Sequence, residues 1–178
     1  MSFKKKSLTA AVAALQIDKV TVFLLASCVL PSFFHMIPWG FSVPVGAVWL
    51  PMFYAPCAAA LLYRPHVGIL AGLFAPGLNA LLFGRPDAGL VLPLTADLVI
   101  FTAVTWRLSA RIKIAAPLVA FVAAKVLTYW VFDGAHASAF SSGGWSAWLT
   151  GLALSLPGIL MFVVIGLFCA WLSKEARP

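Results

Sequence analysis

The stretch PLTADLVIFTAVTW, Pro93–Trp106, is apolar enough for a buried helix, yet Asp97 sits in its middle. A carboxylate in such surroundings is costly unless it is paired, so the solvent around this run decides the fold. The chain has 178 residues, 63% of them hydrophobic and only 10% charged, with a mean hydropathy of +1.03. A water-soluble domain of this length needs a wettable exterior, which this composition cannot supply. Lipid is the alternative, where about 20 apolar residues cross the ~30 Å hydrocarbon layer. The chain therefore reads as an all-α integral membrane protein, a single transmembrane domain over residues 1–178.

The formal net charge of +7 raises the question of nucleic acid, and the positions of the charges exclude it. Lys4, Lys5 and Lys6 lie at the start, Arg107, Arg111 and Lys113 sit together, and Lys174 and Arg177 close the sequence. Such basic clusters flank membrane spans rather than form a phosphate-binding face. Cys28, Cys57 and Cys169 all fall in apolar runs, where a small buried hydrophobe is the plainest reading of a cysteine. The basic start followed by LTAAVAAL is similar to a signal peptide, but Gln16, Asp18 and Lys19 interrupt it. LASC, Leu25–Cys28, is similar to a lipoprotein processing site, but the apolar run before it is too short for a signal core.

Breaking the chain at charges and Pro/Gly clusters predicts six spans, at about 19–38, 47–63, 67–83, 92–109, 114–132 and 147–171, with a short amphipathic helix at about 7–17. Pro51, Pro56, Pro76 and Pro157 should kink or break their helices, tolerable in lipid only where neighbours or water satisfy the freed backbone groups. With the N-terminus inside, Lys4, Lys5, Lys6, Lys19, Arg64, Arg107, Arg111, Lys113, Lys174 and Arg177 fall on the inner side and only Arg85 on the outer. That bias puts both termini in the cytoplasm.

Counting rise per residue from the span ends puts Asp97 roughly 8 Å, Lys125 roughly 10 Å, Asn79 within about 6 Å and His35 within about 5 Å of the outer boundary. Four polar side chains are thus expected at one outer level. Ionisable residues within spans face the interior or a wet cavity and find a partner. Asp97 and Lys125 are the expected pair, as a helix-locking salt bridge or as the lining of an outward pocket. The outer loops 38–47, 84–93 and 133–145 are rich in Gly, Pro and small polar residues, suited to closing over a ligand. The inner connections are short.

Catalysis is not expected. The serines of SSGG, Ser141–Gly144, and nearby His136 lie in a loop rather than at matching depth on two spans. His35, His66 and His136 lack ligand spacing, and a channel would need a polar stripe through the full thickness.

The segment LPMFYAPCAAALLYRPHVGILAGLFAPGLNALLFGRP, Leu50–Pro86, has a span, a tight inner turn with Gly68, a Gly/Ala-rich span and a Gly-Arg-Pro lead into an outer loop. With six spans and a length near 180 residues, the chain resembles the substrate-binding S-components of energy-coupling factor vitamin transporters. That resemblance implies a multi-pass protein of a bacterial cytoplasmic (inner) membrane. It implies capture of a vitamin-type small molecule in the outer half and toppling against a coupling membrane protein driven by two ATPases. Docking would use small residues at close-approach spacing, Ala10 and Ala14 or Gly68 and Gly72, for which intramolecular packing is the alternative. The sequence has no GxxxxGK[ST] and no cofactor of its own is expected.

His35, Trp39, Cys57, Asn79, Arg85, Asp97 and Lys125 are the candidate substrate-binding residues. Cobalamin or a related corrinoid is the favoured cargo, because some solitary members that the chain resembles take it up. Cys57, roughly 12 Å below the outer boundary, would be the axial ligand to cobalt, a soft thiolate on a transition metal, with His35 the competing ligand. The alternatives are an S-component for a smaller vitamin precursor, a queuosine precursor or haem, and a membrane scaffold in which Asp97 and Lys125 only lock helices.

Overall fold

In a computed structural model of the chain, the residues described are 19–38, 43–136 and 144–175. Among them every element is a helix: α1 Lys19–His35, α2 Val45–Trp49, α3 Pro51–Leu62, α4 Pro65–Phe83, α5 Ala88–Ile112, α6 Ala116–His136, α7 Gly144–Leu154 and α8 Leu156–Glu175. Four segments are long and apolar enough to cross a membrane, namely Val45–Leu62, Pro65–Phe83, Ala88–Ile112 and Leu156–Ser173, while Lys19–His35 and Ala116–Phe132 are apolar but shorter. The protein is a helical membrane protein. The expected lead-in at 7–17, with Ala10 and Ala14, lies outside the described residues.

The prolines divide into two kinds. Pro51 and Pro157 stand at breaks, whereas the helices run through Pro31, Pro56, Pro76 and Pro93. Pro suits the first turn of a helix, whose N–H groups have no intrahelical partner in any case, and α3 begins on Pro51. Before it, Leu50 adopts φ 53° and ψ 40°, a left-handed conformation that costs a non-glycine residue about 1 kcal/mol. Its N–H still reaches the Gly46 carbonyl at 3.0 Å, and its side chain is buried. α4 begins on Pro65 and ends at Gly84, whose φ of 68° is the usual left-handed stop. Gly68, expected in the turn, belongs to α4 instead.

Contacts fix how the helices lie. Glycines 72 and 68 press on Leu98 and Thr102 respectively, so α4 and α5 run antiparallel. The Gly68/Gly72 pair is thereby spent on packing within the chain. Asp97 meets Lys125 and Thr128, which pairs α5 with α6. The Asn79 amide reaches the Ser27 carbonyl, joining α4 to α1.

The two helix breaks meet. Ser155, between α7 and α8, donates its hydroxyl to the Ala47 carbonyl at 3.1 Å, and the Tyr54 hydroxyl donates to the Trp49 carbonyl. The carbonyls loosened by the interruption thus find partners where water is scarce. A Cβ on Gly158 would stand 2.6 Å from the Trp49 carbonyl oxygen and 2.7 Å from its carbon. Gly158→Ala should therefore destabilise the fold by about 2 kcal/mol, the usual scale of overpacking. Gly77→Ala, where a Cβ meets nothing within 4 Å, should be neutral or slightly stabilising. Unfolding midpoints in mixed micelles of sodium dodecyl sulfate compare the two.

The ends of the bundle differ in charge. At one end Lys19 lies 4.6 Å over the Tyr63 ring, Lys113 bonds Ser173 at 2.9 Å, and Arg64, Arg107 and Arg111 are exposed. At the other end stand His35, Arg85 and Asp87.

Candidate functional site

Asp97 lies on the inward ridge of α5, which buries residues 97, 98, 101, 102 and 105, and is only 4% exposed. Both of its oxygens are partnered. The Lys125 ammonium forms a salt bridge with Oδ2, and the Thr128 hydroxyl lies 2.5 Å from Oδ1 and 2.9 Å from the Ala124 carbonyl. Residues three apart share a helix face, so α6 presents Lys125 and Thr128 to the same carboxylate. This is what burial of a carboxylate demands.

Lys125 differs from its partner, because 29% of its side chain is exposed. Its Nζ lies 5.9 Å from the centroid of the Phe53 ring and 5.7 Å from that of Phe121, within range for a cation over an aromatic face. The Trp148 indole N–H donates to the Lys125 carbonyl at 3.4 Å, which brings α7 to the group.

The rings beneath Lys125 form a solid centre. Phe53 of α3, Phe101 of α5, Phe121 of α6 and Phe162 of α8 are all at most 2% exposed. Phe53 meets Phe101 at 5.2 Å and Phe121 at 5.5 Å, and Phe162 meets the same two at 5.2 and 5.6 Å. These separations suit edge-to-face and tilted aromatic packing. The rings are closed off beneath the lysine, so the Asp97–Lys125 pair meets the surface on the exposed side of Lys125.

The other expected site residues do not gather there. Asn79, 2% exposed, spends its amide on the Ala75 carbonyl at 2.9 Å and the Ser27 carbonyl at 3.3 Å. The contact between Gly72 and Leu98 sets Asp97 level with the Gly72 turn, so Asn79 lies roughly 9 Å further along α4. His35 ends α1, eight residues or about 12 Å beyond Ser27, with its imidazole 3.5 Å from where a Gly46 Cβ would stand. Arg85 is exposed in the turn after α4, and its charge acts on His35. The expected single level is thus a climbing series, in which only Asp97 and Lys125 meet. The reason is helix length: α5 starts at Ala88 rather than 92 and α6 runs on to His136 rather than 132, which carries the pair deeper than the others.

Cys57 also changes place. It is 0% exposed within the hydrophobic core, and the neighbouring Pro56 carbonyl meets Gly68, on the far side of Asp97 from Asn79. Because its segment begins at Val45, Cys57 stands about 18 Å from that start, too deep for the floor of an outer pocket. In this packing it is a small core hydrophobe without an open approach for a corrin ring. Trp39 lies outside the described residues, as do 40–42 of the same loop and the side chains of 133–145.

Thr128, Phe53, Phe121 and Trp148 also meet Asp97 or Lys125, and none of them is among the residues expected from the sequence. The three-residue step from Lys125 to Thr128 was the available signal for the first.

No protein-family model, no curated protein and no solved structure matches the chain.

Proposed function

We propose that the chain is a substrate-capturing membrane subunit that takes up a vitamin-type small molecule from the outer face. The observation that carries this reading is the partly exposed Lys125 side chain, whose ammonium is held by Asp97, itself bonded by Thr128, over the buried rings of Phe53 and Phe121. A fixed cation backed by buried rings suits a molecule that brings it an acceptor or acidic edge. In this reading the six apolar segments all cross a bacterial cytoplasmic membrane, both termini are cytoplasmic, and the end with Lys19, Arg64, Arg107, Arg111 and Lys113 faces inward. The chain offers no nucleotide motif, so energy comes from a coupling membrane protein and two ATPases. The resemblance to S-components supports this arrangement.

Cobalamin is the cargo to test first, because its absorption spectrum reports binding without a label. Contact between cobalt and Cys57 would require α3 to part from its neighbours, so the corrinoid proposal rests on the Lys125 face and no longer on the thiol. A second reading, a scaffold with no cargo, is favoured by one observation: both oxygens of Asp97 are bonded across to the neighbouring helix, and the Asn79 amide nitrogen ties its helix to α1 through Ser27.

Titration of the purified chain with cobalamin, thiamine-type precursors, queuosine precursors and haem, followed by tryptophan fluorescence and visible absorption, separates the readings. Saturable binding to the parent that is weakened at least about ten-fold in Lys125→Gln, the scale of one charge-assisted contact, is the expected result. Absence of any saturable binder would leave the scaffold.

A further inference from the structure

The inner end of α5 carries a feature that the uptake proposal does not use. Arg107 and Arg111, with Leu108 and Ala110, border a shallow, open concavity, or groove, of about 370 Å³ on the surface of this one helix. The two arginines are one helical turn apart, so their guanidinium groups share a face. That face is not the inward one, since α5 buries 97, 98, 101, 102 and 105 and a step of two from Thr105 to Arg107 turns about 200° around the axis. Both arginines are exposed. Among the described side chains the only carboxylates are Asp97, bonded to Lys125 and Thr128, and Asp87, which precedes α5 at its opposite end. Neither arginine is neutralised by them.

The apolar lining residues Leu108 and Ala110, and the exposed apolar residues near the arginines in sequence, say what kind of anion fits. Trp106 is 39% exposed, Ile112 42% and Ile114 41%. A free phosphate has no use for these, whereas a diacyl lipid lays its chains against them and its headgroup phosphate between two guanidinium forks. The rest of α5 is apolar enough to cross a membrane, which sets the groove at a headgroup boundary, where Arg stems lie along apolar surface and the charged tips reach the interface.

We infer that the Arg107–Arg111 groove is a binding site for an anionic phospholipid headgroup. It requires α5 to span a membrane but does not require any cargo at Lys125, so a failed vitamin titration leaves it standing.

The test is native mass spectrometry of the full chain in dodecyl maltoside with phosphatidylglycerol and phosphatidylcholine at equal mole fraction. Phosphatidylglycerol should be retained about thirty-fold over phosphatidylcholine, as two juxtamembrane cations warrant. The excess should vanish in R107Q/R111Q and persist in R64Q, which removes a cation from the same end of the bundle. R107K/R111K should keep part of it, since charge survives and the fork does not. If the double variant does not fold, R107Q and R111Q singly should each lower the excess. An excess that survives R107Q/R111Q, or both single changes, overturns the assignment, as does an equal loss in R64Q. Release of the lipid by millimolar inorganic phosphate would make the groove a soluble-anion site and overturn it too.

Discussion

Lys125→Met should destabilise the protein by about 3–4 kcal/mol, because it strands a buried carboxylate with only Thr128 to serve it. Asp97 is 4% exposed and cannot recover water in place of the ammonium. The companion change Asp97→Asn removes the charge and keeps the shape, so the double variant Asp97→Asn/Lys125→Met should regain at least half of the loss. The readout is the unfolding midpoint in mixed micelles, with the four proteins forming one cycle. A neutral Lys125→Met would mean that the ion pair does not hold α5 to α6. The same variants enter the ligand titration, where a cargo-binding lysine and a merely structural one part company: the double variant would be stable and yet unable to bind.

Phe53→Ala is the second large effect. This ring touches Phe101, Phe121 and Phe162 and lies under the Lys125 ammonium. In a water-soluble core, Phe→Ala costs about 3–5 kcal/mol. Here part of the transfer contribution cancels, since lipid surrounds the unfolded helices as well. The lost dispersion contacts and the cavity do not cancel, which leaves about 3 kcal/mol. Phe53→Leu keeps most of the volume and should cost about 1 kcal/mol. Comparable losses for the two substitutions would show that the ring's faces matter more than the space it fills.

The positions of the helices were legible in the sequence because lipid demands long apolar runs and charges stop them. Helix is found in each of the six expected spans, four of the segments are long and apolar enough to cross a membrane, and Pro51 and Pro157 mark the two breaks; the lead-in at 7–17 lies outside the described residues. Facing was not legible. Phe53, Phe101, Phe121 and Phe162 converge from four helices, but their helices are apolar on every side, and a side chain that meets lipid looks the same in sequence as one that meets a neighbour. The Asp97–Lys125 pairing was legible because two opposite charges in oil have little choice of partner. Depth was not, since errors of four residues at helix ends move a group by about 6 Å. That error set Asn79 and His35 beside a pair they do not touch, and set Cys57 under a mouth it does not reach.

The meeting of the two breaks has a consequence for how the molecule can vary. Leu50 and Ser155 each interrupt a helix, and the peptide oxygens of Ala47 and Trp49 are claimed by Ser155 and Tyr54. The bundle is therefore built in two storeys, with the stubs Val45–Trp49 and Gly144–Leu154 standing on longer pillars. Because the Trp49 carbonyl of one stub is held by Tyr54 of the pillar that follows it, and the Ala47 carbonyl by Ser155, a change at either partner acts across the break.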